Sequence, residues 1–317
     1  MGIGRVGNNQ LVRKILFNIQ TQLSEQEKLF EQISSNKRIL RPSSDPFGTN
    51  KAMNLKDQLN RNNEYESVIS ISEVWTNISS AALDNSIETW KRVNEVAITG
   101  ADGTKTAADR IAMAEELEQL ISHLVQIGNT TNGNRFIFGG SKTDSSPFVA
   151  EKDANTGRTT GVFYEGDSSI RRIKTKEDGV TEISVVGSNA GNPELRGAFV
   201  DTNTDTDLFK ILIQLRDKFL NNDIIGISGP GGLLQKIDMG AQNLIAAQVR
   251  LGGTQERLDL DRNRILQQNA DIQTFLSGIE DADVAQLILE LNNVQNVYEA
   301  ALASGGRLVQ SGLLNFI

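Results

Sequence analysis

The stretch LIAAQVRLGGTQERLDLDRNRILQQNADIQTFLSGI, residues 244–279, carries the most regular apolar pattern in the chain. Six apolar residues in it are each seven positions apart: Leu244, Leu251, Leu258, Ile265, Ile272 and Ile279. A seven-residue apolar repeat keeps one narrow stripe of a helix turned toward a partner, so it predicts a long coiled-coil helix and a rod seam. Companion positions such as Gln248, Gln255 and Gln268 are polar. The seam is therefore half apolar, and helices from the first half of the chain are expected to complete it.

The N-terminal segment repeats this pattern on a smaller scale. Its apolar positions alternate spacings of four and three, with Gln26 in the one gap: Val12, Leu16, Ile19, Leu23, Phe30 and Ile33. Such alternation is typical of a coiled-coil seam over residues 10–40. The last helix carries a matching stripe and an apolar end: Leu287, Leu291, Val294, Tyr298, Leu302, Leu313, Leu314 and Phe316. Each narrow stripe would be marginal alone in water, so both helices are expected to need a partner.

A hard break follows the first helical pattern. Two of the five prolines lie in one short stretch, Arg41, Pro42, Ser43, Ser44, Asp45 and Pro46. Pro42 removes a backbone donor and disfavours the α conformation at Arg41, so the first helix is expected to stop there. Asp45 is a good N-cap with Pro46 as first helical residue, so a second helix begins at once. We interpret this stretch as an interdomain joint.

The second helical pattern runs from Pro46 to about Thr99, and a helix of that size would be ~75 Å long. Thr106 and Asp109 predict a capping box at the start of a third helix, which Gly128 can end. Residues 129–200 are rich in Gly, Asn, Asp, Ser and Thr, with short β-branched or aromatic segments between turn dipeptides. They predict an inserted antiparallel β-domain. Helices are expected to resume over residues 201–223.

The predicted fold is mainly α with a small β insert, nested so that N- and C-terminal segments form long coiled-coil helices together. Three parts are expected. The terminal-helix domain comprises residues 1–41 and 283–317. The helical rod comprises residues 42–145 and 201–282. The β-domain comprises residues 146–200.

Charge is unevenly distributed. The formal net charge is −8, which argues against a general nucleic-acid-binding role. Residues 1–41 carry seven basic and three acidic side chains, whereas residues 271–317 carry six acidic side chains and Arg307. Two readings stay open: two solvated helix faces that differ by chance, or two chain ends that attract one another within or between subunits.

The sequence lacks a complete catalytic or cofactor-binding motif. The chain has no cysteine, which excludes disulfides and thiolate metal sites. Gly2, Gly4 and Gly7 lack the preceding strand of a dinucleotide site, and His123 is the only histidine. Residues 201–212 resemble the start of a calcium loop, but Thr206 and Leu212 stand where glycine and glutamate are required. We expect no catalytic residue, no cofactor and no metal, with Asp205 or Asp207 capping a helix instead.

Three stretches resemble one family. They are SSNKRILRPSSDPFGTNKAMNL (residues 34–55), GNRFIFGGSKTDSSPF (residues 133–148) and IEDADVAQLILELNNVQNVYEAALASGGRLVQSGLLNFI (residues 279–317). Together they are similar to the hook–filament junction proteins of bacterial flagella, the FlgL-type hook-associated proteins of the flagellin-like superfamily. The opening MGIGRVGNNQ departs from the shorter start of that family.

The resemblance implies a structural part of the flagellum, outside the cell, that joins hook to filament through coiled-coil assembly of its termini. It implies partners: further copies of itself in a ring or tube, the other junction protein, flagellin and a cytoplasmic export chaperone. Nucleic acid and membrane are not among them, since no apolar run approaches a membrane span. The N-terminus lacks the pattern of a secretory signal, so export without a cleaved signal peptide is expected. The alternatives are a filament flagellin and, more distantly, a secreted effector or hydrolase on a coiled-coil stalk.

Overall fold

The computed structural model describes residues 3–189, 191–229 and 231–314, without the side chains of residues 3–9, 11, 12 and 307–314. The helices are α1 (Ile3–Ser35), α2 (Pro46–Ala101), α3 (Ala107–Gly128), α4 (Leu208–Leu220), α5 (Ile225–Ser228), α6 (Leu233–Glu280) and α7 (Val284–Leu314). The strands are β1 (Thr131–Asn132), β2 (Arg135–Phe136), β3 (Phe148–Lys152), β4 (Thr159–Tyr164), β5 (Arg172–Lys176), β6 (Gly179–Glu182), β7 (Val200–Asp201) and β8 (Thr206–Asp207). The predicted fold class, mainly α with small β hairpins between long helices, is confirmed.

Two compact units are present. The first comprises residues 1–61 and 266–317, and the second comprises residues 62–265. Both α2 and α6 contribute to both units because the boundaries fall within these helices. The divisions predicted from the sequence, at residues 42, 146, 201 and 283, stay predictions.

Four antiparallel hairpins, β1–β2, β3–β4, β5–β6 and β7–β8, occupy the middle of the described chain. In β3–β4, Phe148 lies opposite Tyr164, and the register shifts between Glu151 and Lys152. The prediction of helix from residue 201 is wrong, because residues 200–207 form the β7–β8 hairpin. Asp205 turns this hairpin with a φ of 49°, and helix begins only at Leu208.

The core of the second unit is aromatic where hairpins meet helices. Phe148 packs against Phe199, Phe209 and Tyr164 with ring centroids 5.1–5.3 Å apart. Gly128 packs directly against the Phe148 ring, since a Cβ at this position would lie 2.6 Å from that ring. The predicted helix end at Gly128 is thus found, but the glycine serves close packing on Phe148. The hairpins therefore share one core with the helices.

A buried ion pair links three elements of the second unit. Arg216 of α4 contacts Glu118 of α3 at 2.5 Å and donates to the carbonyl of Thr159 in β4 at 2.6 Å. Burial opposes ionisation of Glu118, but hydrogen bonds from Thr159 and Arg216 outweigh it and keep the pKa of this carboxyl below its usual value. Removing one partner of such a pair would leave a buried charge uncompensated.

Candidate assembly surfaces

The helices α1 and α7 pack against each other in the first unit. Leu29 of α1 is 3% exposed, and Leu287 of α7 is buried too. A side-chain atom added at Gly305 would lie 3.2 Å from Ile15, so the two helices also lie close together at these two residues. The expectation that the terminal segments form helices together is met within this one chain.

The predicted α1 seam divides between two faces. Ile19 and Ile33 are half-buried, whereas Leu16, Leu23 and Phe30 stay exposed, Phe30 by 58%. Three of the least exposed positions of α1 belong to the predicted stripe, and the others lie one residue before it: Ile15, Ile19, Gln22, Gln26, Leu29, Gln32 and Ile33. The chain therefore uses only half of the predicted stripe, and an apolar row at Leu16, Leu23 and Phe30 is left open to water.

On α7 the predicted stripe behaves similarly. Leu287 is buried and Leu291, Val294 and Tyr298 are half-buried, while Leu302 is exposed. Sequence reasoning missed further exposed apolar side chains on this helix, Ile288, Leu289 and Val297. Val12, Leu313, Leu314 and Phe316 lie outside the described side chains.

The joint between α1 and α2 begins earlier than the prolines predict. The expectation that Pro42 ends the first helix is wrong, because α1 ends at Ser35 and Asn36 takes a left-handed conformation with a φ of 54°. Asparagine tolerates this conformation, and besides glycine it is a residue that ends helices in this way. Residues 37–45 are therefore free of helix, and Pro42 lies in the middle of this segment.

A backbone clamp holds that segment to the connection between α6 and α7. The amide of Arg38 donates to the carbonyl of Glu280 at 2.6 Å, and the amide of Ala282 donates to Asn36 at 3.1 Å. The Arg38 guanidinium also donates to the carbonyl of Ile279 at 2.7 Å. Two segments far apart in sequence thus pair as a short antiparallel bridge.

Charge completes the clamp. Lys37 contacts Asp281 at 2.7 Å and Glu280 at 3.3 Å, and Lys56 of α2 also contacts Glu280. Burial opposes ionisation of Glu280, but the two lysines outweigh it and lower its pKa. The pKa of Asp281 is lowered by hydrogen bonds from Lys37 and Ser277. Two interpretations of the uneven charge were open. At this point the structure contains the second, because Lys37 from the basic N-terminal part attracts Glu280 and Asp281 from the acidic C-terminal part within one chain.

The restart of the second helix is confirmed. The amide of Gly48 donates to the Asp45 carboxylate at 2.8 Å, as an N-cap requires, and Pro46 is the first helical residue. Arg41, Pro42, Ser43 and Ser44 form the turn before it, closed by a hydrogen bond from the Ser44 amide to the Arg41 carbonyl. Asp283, which directly precedes α7, is a capping residue as well, since its carboxylate accepts from the amide of Gln286.

The residues predicted as the rod seam lie along α6. Leu244, Leu251, Leu258 and Ile265 are buried in the second unit, Ile272 is buried in the first, and Ile279 is half-buried. The polar companions find partners on α2: Gln248 donates to Ser80 and Asp84, and Gln255 donates to Asn77. The two helices run antiparallel, as these contacts require. Their role as an assembly element stays a prediction.

The residues considered for metal binding in the sequence lie apart from one another or have structural roles. No three His, Asp or Glu side chains there come together in a way that could hold a metal ion. His123 is exposed on α3, and in the calcium-like stretch Asp207 caps α4 by accepting from the Lys210 amide. Among the described helices, none joins the length and the apolar character that crossing a membrane needs.

Comparisons with known proteins agree on the two helical ends. The model of the bacterial flagellin N-terminal helical region matches residues 6–143, and that of the C-terminal helical region matches residues 234–317. Together they cover more than two thirds of the chain.

Individual relatives span the full length. Flagellar hook-associated protein 3 of Escherichia coli is 23% identical over 306 residues, which is 93% of this chain and 95% of that protein. Flagellin of Bacillus subtilis is 24% identical over 320 residues, 98% of each chain. The crystal structure of FlgL from Bacillus cereus superposes with a TM-score of 0.55 at 16% identity, covering 71% of this chain and 99% of that one.

Proposed function

The chain belongs to the bacterial flagellin family, and from that premise we propose that it joins the flagellar hook to the filament. Members of this family are structural proteins of the extracellular flagellum that assemble with other flagellar proteins. The observation that carries the junction role is the end-to-end match with flagellar hook-associated protein 3, over 93% of this chain and 95% of that relative.

Assembly through the termini is supported by the open faces of α1 and α7. Leu16, Leu23 and Phe30 remain exposed after α1 has packed on α7. Covering apolar surface is worth about 25 cal/mol per Å², so neighbouring copies gain free energy by burying these rows. In this proposal the row lies between subunits, and the α1–α7 pair is the unit that polymerises.

The proposed partners are further copies of the chain, the other junction protein on the hook side and flagellin on the filament side. A cytoplasmic chaperone covers the C-terminal helix before export. The protein acts as a structural part and not as an enzyme. The clamp at Lys37 and Glu280 supports a joint at which the terminal helices adapt to a hook below and a filament above.

A deletion strain tests the junction role. We expect intact hooks without filaments and flagellin released into the medium, with filaments restored by the gene on a plasmid. Electron microscopy of the cells and immunoblots of the medium give both readouts. Normal filaments on the deletion strain would exclude the junction role.

Filament flagellin is the second candidate, because the Bacillus subtilis flagellin matches the chain equally well in identity and coverage. The two candidates differ in copy number, since a junction needs a short ring and a filament needs thousands of copies. Quantitative mass spectrometry of isolated flagella, with flagellin as internal reference, separates them.

A further inference from the structure

The helix α6 presents an exposed apolar face in the second unit. Ile245, Val249 and Leu260 are 50%, 68% and 62% exposed. Their spacings of four and eleven residues place them on one side of the helix. The buried Leu244, Leu251 and Leu258 lie on the other side. This face is therefore separate from the seam that packs inside the chain.

Two consecutive glycines interrupt the middle of that face. A side-chain atom added at Gly252 or Gly253 would meet nothing within 4 Å. Glycine inside a helix is less favourable than alanine, and nothing in the described part of the chain packs closely enough on this pair to require it. The pair forms a notch between Val249 and Leu260 at which another backbone can approach closely.

A row of arginines runs beside the notch. Arg250, Arg257 and Arg264 are spaced by seven residues and are exposed. Arg250 and Arg257 make only long hydrogen bonds of 3.4 Å, to the carbonyls of Arg196 and Val180. Within the described chain none of the three has a carboxylate partner. Two exposed carboxylates, Glu256 and Asp259, lie on this face, so the three arginines keep an excess of one positive charge.

The exposed face of α2 is complementary in character. Ile71 and Val74 are 61% and 52% exposed on this helix. Residues 62–90 of α2 contain five acidic side chains and no lysine or arginine. Two of the acids, Glu64 and Glu88, are exposed and make no ion pair in the part of the chain that the structure describes.

We propose that the α6 face of one copy, defined by Ile245, Val249, Gly252, Gly253 and Leu260, binds the α2 face of a neighbouring copy, defined by Ile71 and Val74. This inference rests on the proposed assembly of the chain with itself. The two faces differ, so the contact is heterologous, and head-to-tail contacts of this kind close into rings or extend as helical arrays.

The physical case has two parts. The notch lets the side chains of Ile71 and Val74 come close to the α6 backbone, and the flanking Ile245, Val249 and Leu260 then lose water contact. The arginine row meets the acidic α2 surface, which fixes the register and disfavours two α6 faces meeting each other.

Cysteine cross-linking tests the contact in assembled flagella. The chain has no cysteine, so single substitutions are clean reporters. Cells of the deletion strain produce Val74→Cys and Val249→Cys chains together, and isolated flagella are oxidised with copper–phenanthroline. We expect a disulfide-linked dimer, detected with antibody against this chain, that neither variant gives alone.

A blocking variant adds a second readout. The leucine of Gly252→Leu fills the notch, but in the single chain it enters open space. The Tm of this variant should therefore not fall, whereas the cross-linked dimer should disappear. Gly278→Leu is the matched control on the same helix, because Gly278 also faces open space; it should leave the dimer in place.

The outcomes separate this inference from the junction role. A chain present in flagella without a 74–249 dimer overturns the proposed contact and leaves the junction role standing. So does a dimer from Val249→Cys alone, which would mean that like faces meet. A chain missing from flagella made by the wild-type strain contradicts the proposed function itself.

Discussion

At the scale of single residues, glycines in one helix have opposite roles. A Cβ at Gly240 of α6 would lie 2.6 Å from the Trp90 ring and 2.7 Å from Leu208, whereas one at Gly252 would meet nothing within 4 Å. Trp90 is buried, with its indole donating to the Ile237 carbonyl at 2.7 Å. Gly240 therefore makes room for the core, and Gly252 does not.

We predict that Gly240→Ala lowers the free energy of unfolding by about 1–3 kcal/mol, because overpacking outweighs the better helix propensity. Gly252→Ala should raise it by up to ~1 kcal/mol for the propensity alone. Urea unfolding followed by circular dichroism measures both. Equal effects of the two substitutions would contradict the packing assigned to Gly240.

The Asp167 carboxylate gives a pH dependence with a defined sign. Partial burial opposes its ionisation, but hydrogen bonds from Ser141 and Ser169 outweigh this and lower its pKa from 3.8 to about 2. A group with a lowered pKa stabilises the fold above its unfolded value, and this contribution is lost as the pH falls through the folded value.

We predict that Asp167→Asn lowers the Tm at neutral pH, and that the difference from wild type narrows between about pH 4 and pH 2. Asp144→Asn is the control, because Asp144 is exposed in the same region. A difference for Asp167→Asn that is constant over this pH range would show that the carboxylate charge contributes nothing.

At the scale of elements, the segment between α1 and α2 is defined by its two ends. Asn36 ends α1 by its left-handed conformation, and Asp45 caps α2. Pro42 and Pro46 therefore do not set the length of α1, and their contribution is to restrict the backbone of residues 37–45.

We predict that the double variant Pro42→Ala, Pro46→Ala keeps its helix content by circular dichroism but sheds filaments under shear more readily than wild type. Pro193→Ala, at an exposed loop position of the second unit, should have no such effect. Filament length after controlled shearing is the measurement. Normal attachment of the double variant under mechanical load would count against the joint.

At the scale of the whole molecule, the apolar side chains that pack within the chain can be told apart from those that stay exposed and are free to contact a neighbouring chain. Leu29 is 3% exposed, whereas Leu23 is 43% and Phe30 is 58% exposed on the same helix. Exposed apolar side chains in such a row are the expected surface of an assembling protein.

We predict that Leu23→Ser with Phe30→Ser leaves the Tm of the isolated chain within a few degrees of wild type but prevents filament formation in the deletion strain. Leu29→Ala should instead lower the stability of the α1–α7 pair, because it removes a buried side chain. Stability is measured by thermal unfolding and assembly by electron microscopy. Filaments formed by the double serine variant would refute the role of the row.

The helical part of the fold was accessible to sequence reasoning because it depends on local features. Heptad spacing predicted α6, and the caps at Asp45, Thr106 and Asp207 were each confirmed by hydrogen bonds. The candidate assembly surfaces could be predicted from the sequence only in part. A four-and-three spacing identifies one stripe, but the stripe covered within the chain keeps Ile19 and Ile33 of the predicted one and adds Ile15 and Leu29.

The sequence by itself determined the long helices, their caps, the hairpin region and the family, because periodicity, capping and family motifs are properties of residues near one another in the chain. Only the tertiary structure decided which apolar row α7 covers, that α1 ends at Ser35 with Asn36 in a left-handed conformation, and that Lys37 and Arg38 bind the α6–α7 connection. These features depend on contacts between residues more than two hundred positions apart. No local pattern encodes which of two adjacent helix faces packs against a partner within the chain.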